Sequence, residues 1–132
     1  MNPVFGISVS GMNAAGLRLA NSANNIANVE STSRYENGET VRTPYMPTDV
    51  VQTSIEPTGG VKASVRPRDP ASIPVYAPDH PYADTDGMVD YPNVSLEEEL
   101  VDTKIASYDY KANLKVLKTA DDMMQSLLDI KT

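Results

Sequence analysis

The chain contains no cysteine and no tryptophan, and its single phenylalanine is Phe5. Without cysteine there is no disulfide and no thiolate metal site. With so few large aromatics, the core gains less burial per residue than usual. Basic residues are in the minority, 11 against 18 acidic ones, for a net charge of -7 and a pI of about 4.5. Such a chain repels phosphate backbones, so a nucleic-acid partner is not expected. No apolar run approaches the ~18 residues that cross a bilayer. The first residues lack the basic and then apolar order of a cleaved signal. Neither a membrane or lipid anchor nor cleaved secretion is expected, and export that reads an uncleaved N-terminus stays open. The 132 residues suit one compact domain.

Proline is missing from both ends. Nine of the ten prolines lie between Pro44 and Pro92, and the tenth, Pro3, sits where a first helical turn accepts it. Proline breaks helix interiors and central strands. The distribution therefore predicts helix over 1–30, a β-rich, proline-rich middle over 31–93, and helix over 94–132. The fold class is α+β, with the two long terminal helices paired as a coiled coil.

What is present fits that division. From about Asn2 to Val29, the positions Met12, Ala15, Leu19, Ser22, Ile26 and Val29 step by three and four, an a/d seam. Pairs of small residues four apart, such as Gly11 with Ala15 and Gly16 with Ala20, allow close approach of another backbone. Only Arg18 carries charge before Glu30, whereas a solvated helix has a charged face. The stretch ends in Asn24, Asn25 and Asn28, although asparagine competes with the helix for backbone hydrogen bonds.

The last segment opens on Ser95 and Glu98, spaced as a capping box, and places Glu97, Glu98, Glu99 and Asp102 where the helix dipole favours anions. Two apolar seams follow. One is Leu96, Leu100, Thr103, Ser107, Tyr110, Leu114, Leu117, Met124 and Leu128; the other Val101, Ile105, Tyr108, Ala112, Val116, Met123, Leu127 and Ile130. Together they are wider than one partner helix covers. At ~1.5 Å per residue this helix is roughly 55 Å long against roughly 40 Å for the first. In the middle, 48–56 and 61–66 flank Pro57-Thr58-Gly59-Gly60 as a hairpin, Asn37-Gly38 marks a turn, and 73–78 and 87–92 read as short edge strands.

Constellations for chemistry are thin. His80, alone among prolines, reads as shaping a turn, since no second His or Cys shares a site with it. Asp84-Thr85-Asp86-Gly87 is similar to part of a calcium loop, but Tyr82 and Asn93 fall where that loop needs an acid and a glutamate. Glu97–Glu99 reads as a helix start rather than a catalytic pair, and Lys111, Lys115 and Lys118 as a solvated stripe. No enzyme activity and no cofactor is expected. A metal protein centred on Asp79, His80, Asp84 and Asp86 is the remote rival.

Residues 22–32, SANNIANVEST, resemble the N-terminal signature of the flagellar rod and hook family. Residues 92–124 resemble its C-terminal signature, with Asn93-Val94, Glu97-Glu98, Val101-Asp102, Ser107, Tyr110, Ala112-Asn113 and Thr119-Ala120 in place. Residues 71–94, ASIPVYAPDHPYADTDGMVDYPNV, narrow the resemblance to the short proximal-rod members. Many relatives continue the Asn-rich motif with Thr-x-Gly-Tyr, where this chain has Ser31-Thr32-Ser33-Arg34-Tyr35. Met46-Pro47 stands where arginine is common.

The resemblance implies a structural subunit of the proximal rod of the bacterial flagellum, polymerising through its terminal helices and transmitting torque. It implies as partners other rod proteins and copies of itself, the inner-membrane ring and export-gate complex, and the flagellar type III export apparatus, with a periplasmic site in the basal body. The expected assembly interface is Met12, Ala15, Leu19, Ser22, Asn24, Asn25, Ile26 and Asn28 on the first helix. On the last it is Leu100, Ile105, Tyr108, Tyr110, Leu114, Leu117, Met123, Met124, Leu127 and Leu128. The asparagines serve there as buried amides that select register, or else as helix terminators. Helices with surplus apolar surface are expected to order on assembly. The competing reading is a soluble coiled-coil adaptor in which the two helices satisfy each other and bind one partner.

Overall fold

A computed structural model describes residues 3–130. Positions 1, 2, 131 and 132, which the sequence reading assigns to the terminal helices, lie outside the described residues. Two helices enclose six short strands: α1 (Pro3–Ala27), β1 (Arg34–Glu36), β2 (Glu39–Arg42), β3 (Thr48–Ser54), β4 (Val61–Pro67), β5 (Ser72–Tyr76), β6 (Met88–Pro92) and α2 (Leu96–Ile130). The architecture is α+β, and the strands form three separate two-stranded sheets, β1–β2, β3–β4 and β5–β6.

Local chemistry explains each element. Pro3 opens α1, where its missing N–H costs nothing. The helix ends at Ala27, before Val29, because Asn28 closes it. The Asn28 side-chain amide donates to the Asn24 carbonyl at 2.9 Å, the same carbonyl that accepts the Asn28 N–H at 3.2 Å, so side chain and backbone together end the helix. Asn37 and Gly38 both take positive φ, 55° and 88°, the turn that matches strand twist in a two-residue hairpin. The strands at 72–76 and 88–92 are partners, in continuous antiparallel register from Ser72–Pro92 to Tyr76–Met88. Ser95 caps α2 by accepting from the Glu98 N–H at 3.4 Å. Its hydroxyl donates to the Glu97 carboxylate, so Glu97 takes part at the side-chain end of the motif.

Contacts divide the chain into two compact units. One gathers the chain up to Ala20, Val50–Ser64 and the chain from Val101; the other gathers Asn21–Asp49 and Val65–Leu100. In the second unit Val89 of β6 is 1% exposed, and Pro47 is likewise fully buried. Ser33 ties the entry of β1 to β6: its N–H donates to the Asp90 carbonyl and its hydroxyl accepts from the Asp90 N–H. In the first unit the buried hydrophobic side chains among the described residues are alanines: Ala14, Ala15 and Ala106.

The helix seam is displaced from the one counted in the sequence. The inward positions of α1 are Ser8, Gly11, Ala15, Arg18, Ser22 and Asn25, all buried or half-buried. They keep the three–four step but share only Ala15 and Ser22 with the apolar count. Met12 and Ile26 are half-buried and Leu19 is exposed. On α2 the inward positions are Glu99, Thr103, Ala106, Asn113, Leu117 and Ala120, and every described residue from Asp121 onward is exposed. Hydrophobic periodicity misplaced most of the seam because, Leu117 apart, the side chains that face inward are small or hydrogen-bonded, not large and apolar.

Candidate assembly surface

In the second unit a polar cluster joins the end of α1, the start of α2 and the base of the β3–β4 hairpin. Asn25 is fully buried. Its amide donates to the Glu99 carboxylate at 2.9 Å and to the Thr48 carbonyl at 3.0 Å. Its oxygen accepts from the Tyr45 hydroxyl at 3.1 Å and the Thr48 N–H at 3.3 Å. One turn earlier, Asn21 donates to the same Thr48 carbonyl at 2.7 Å and accepts from the Thr48 hydroxyl.

Glu99 is 2% exposed. A buried carboxylate is costly unless paired and hydrogen-bonded. Arg68 supplies the charge, with its guanidinium 2.9 Å from Glu99 and 2.8 Å from Asp49. It also donates to the Asn93 carbonyl at 2.7 Å, just ahead of α2. Burial alone would lower the Arg68 pKa; the hydrogen bonds to Asp49 and Glu99 outweigh it and raise it. Among the described residues no buried side-chain nitrogen or oxygen lacks a partner. The cluster is therefore satisfied inside one chain.

In the first unit the helix contacts are few and specific. Arg18 lies 3.0 Å from Asp109 and 3.5 Å from Asp102, carboxylates seven positions apart on α2. Gly11 faces Asn113 so closely that a Cβ on Gly11 would stand 2.7 Å from the Asn113 amide. Ser10 accepts from the Val61 N–H at 3.1 Å, seating β4 on α1.

The large apolar side chains face out. Leu100, Ile105, Tyr108, Tyr110 and Leu114 are exposed, as are Met123, Met124, Leu127 and Leu128. Met123 is 63% exposed and Leu127 68%. Val4, Ala112, Val116, Met123, Met124 and Leu127 line an open apolar groove of about 610 Å³. Burying one such leucine or methionine is worth roughly 1.5–3 kcal/mol.

Of the positions named from the sequence, Ala15, Ser22 and Asn25 are buried within their own chain. Met12, Ile26, Asn28 and Leu117 are half-buried, and Leu19, Asn24 and the remaining α2 positions are exposed. Arg68, Asp49, Thr48 and Tyr45 were missed, and Glu99 was given only a dipole role. The available signal was a heptad of small and polar residues: Gly11, Arg18 and Asn25 on one side, Glu99, Ala106, Asn113 and Ala120 on the other.

The other candidates are turns. His80 accepts from the Tyr82 N–H through Nδ1 at 3.2 Å. Asp84 accepts from the N–H groups of Asp86 and Met88 at 2.9 and 2.8 Å. Among the described residues no group of three His, Asp or Glu could hold a metal ion.

Comparison with known proteins adds a family. Residues 85–130 match the family described as flagellar basal body rod FlgEFG protein C-terminal. The flagellar basal-body rod protein FlgC of Salmonella typhimurium is 37% identical over 129 residues, covering 96% of this chain and 95% of its own. FlgC of Escherichia coli O6:H1 is 35% identical over 133 residues, with 96% and 95% covered. FlgC of Borreliella burgdorferi is 33% identical over 144 residues, with 94% and 93% covered.

Proposed function

The chain belongs to the flagellar basal-body rod proteins of the FlgC type, a structural and non-enzymatic family, and from that premise we propose that it is a subunit of the proximal rod whose terminal helices polymerise through their outward apolar faces. The observation that carries this reading is the inverted helix pair. Small and polar residues meet inside the chain, and the leucines other than Leu117, the methionines and the tyrosines of α2 are left to solvent. An exposed apolar face of this extent marks an interaction site or an aggregation hazard. In a tube of packed helices each helix has several neighbours, and both faces are used.

The partners are other rod proteins and copies of the same chain, with the inner-membrane ring and export-gate complex at the base. Delivery is by the flagellar type III export apparatus without a cleaved signal. The pairing of α1 with α2 acts as a short coiled coil. The distal part of α2, where every described residue after Ala120 is exposed, orders when neighbours cover it. Torque then passes through packed helices to the joint around Asn25, Glu99 and Arg68. The division into 1–30, 31–93 and 94–132 follows that use: two assembling helices and a middle that faces other elements of the basal body.

The test is a charge on the outward face. Leu127→Asp or Met123→Asp, in cells carrying this chain as the sole copy, should leave export intact and abolish rod formation and motility. Motile cells with normal basal bodies would refute the reading and favour the single-partner adaptor.

A further inference from the structure

Hydrophobicity alone does not choose the observed helix phase. Met12, Leu19 and Ile26 each stand one residue after the inward Gly11, Arg18 and Asn25. Leu100 and Leu114 each stand one residue after the inward Glu99 and Asn113. One residue is about 100° of helix rotation. Turning each helix by that step would bring these side chains into the seam and move the polar set out to water. The free chain would then hide Leu100 and Leu114, part of the surface that Proposed function assigns to assembly.

We propose that the buried Asn25–Glu99–Arg68 cluster is a phase lock: it holds α1 and α2 with their polar sides together and so keeps the apolar faces outward and competent to assemble. Asn25 is suited to this because all of its amide capacity is used by partners from three elements, Glu99 of α2, Thr48 of β3 and Tyr45 ahead of β3. Rotation of α1 would take the amide from all of them, from Glu99 in a buried site and from Thr48 and Tyr45 in half-buried ones. Rotation of α2 would withdraw Glu99 from Arg68, which Asp49 and the Asn93 carbonyl hold in place. Unpaired buried polar groups are what make the rotated arrangement costly. Arg18 adds no such choice, because its two carboxylates, Asp102 and Asp109, both lie on exposed surface and stay reachable by a flexible side chain. Asn25, Glu99 and Arg68 are thus positioning residues for assembly, acting through the face that they turn outward. The inference rests on the assembly reading for its purpose, and its test is independent of it.

The absence of native cysteine makes thiol labelling unambiguous. Two reporters are placed singly, Leu100→Cys at a position 51% exposed and Ala106→Cys at one 1% exposed. In the dilute free chain the reporter at 100 should label at least about tenfold faster than that at 106. In the Asn25→Leu/Glu99→Leu background the order should reverse. Glu99→Gln, which keeps the oxygen that Asn25 bonds, should retain the original order. An unchanged order in the double variant overturns the proposal. So does fast labelling of both reporters in the double variant, because the cluster would then be a stability element with no say in phase. Fast labelling of both in the unaltered chain overturns it too. None of these results bears on whether Leu127→Asp blocks rod formation, so failure of the lock and failure of the assembly reading are separable.

Discussion

Asn25 and Glu99, 74 positions apart in the chain, share a buried 2.9 Å hydrogen bond. That bond joins the last turn of α1 to the first turn of α2. It also answers why asparagines crowd the end of an otherwise alanine-rich helix: Asn21 and Asn25 bind the β3 entry and α2, and Asn28 closes the helix.

Arg68 is the sole cation within reach of Glu99 among the described residues. Removing one partner of a buried pair strands the other, at about 3–5 kcal/mol. The Arg68 side chain is 20% exposed, so water screens part of that loss. Arg68→Ala should cost about 3 kcal/mol in urea unfolding. Arg68→Lys should recover only part, because an ammonium cannot span Asp49, Glu99 and the Asn93 carbonyl together.

The asparagines should separate. Asn25→Ala orphans the Thr48 N–H and the Tyr45 hydroxyl in a part-buried site, and each stranded group costs about 1 kcal/mol, the low end of the range for buried groups. Asn24 is exposed, and Asn24→Ala should leave the stability of the free chain within about 0.5 kcal/mol. If Asn24 serves assembly as proposed, the same variant should still reduce motility. Thermal unfolding and soft-agar spreading read the two effects independently.

Two glycines in α1 should respond oppositely. A Cβ on Gly16 meets nothing within 4 Å, so Gly16→Ala should gain up to about 1 kcal/mol of helix propensity. On Gly11 the same Cβ lies 2.7 Å from the Asn113 amide, which must leave its hydrogen bond to the Asp109 carbonyl. Gly11→Ala should be no better than neutral. Equal stabilisation by both would mean that the helices do not approach at Gly11 in solution.

His80→Ala should shift stability by no more than about 1 kcal/mol, the loss of one part-buried turn hydrogen bond and a ring contact with Tyr82. Added calcium or zinc should leave the unfolding midpoint of the unaltered chain in place. A metal-dependent rise in that midpoint, lost in His80→Ala, would revive the metal-site rival.

Much of the fold is legible in the sequence because its signals are local. Proline placement bounds the helices, Asn37-Gly38 forms its turn, and Pro57–Gly60 lies between the paired strands β3 and β4. The exposed apolar surplus on α2 could also be read, from the width of its two seams. The lock could not. Arg68, Thr48 and Glu99 come together only through tertiary contacts, and hydrophobic periodicity says nothing of a polar seam. The count that singled out Met12, Leu19 and Ile26 found the right spacing one position from the inward face.

The account rests on the outward face of α2 being covered in the basal body, and two native side chains report on it directly. Met123 and Met124 are 63% and 45% exposed in the single chain. Peroxide footprinting read by mass spectrometry should compare their oxidation in the dilute free chain and in intact basal bodies. Assembly through this face predicts rates at least about tenfold slower in basal bodies. Equal rates in the two states would mean that the face stays in water, and the assembly surface lies elsewhere.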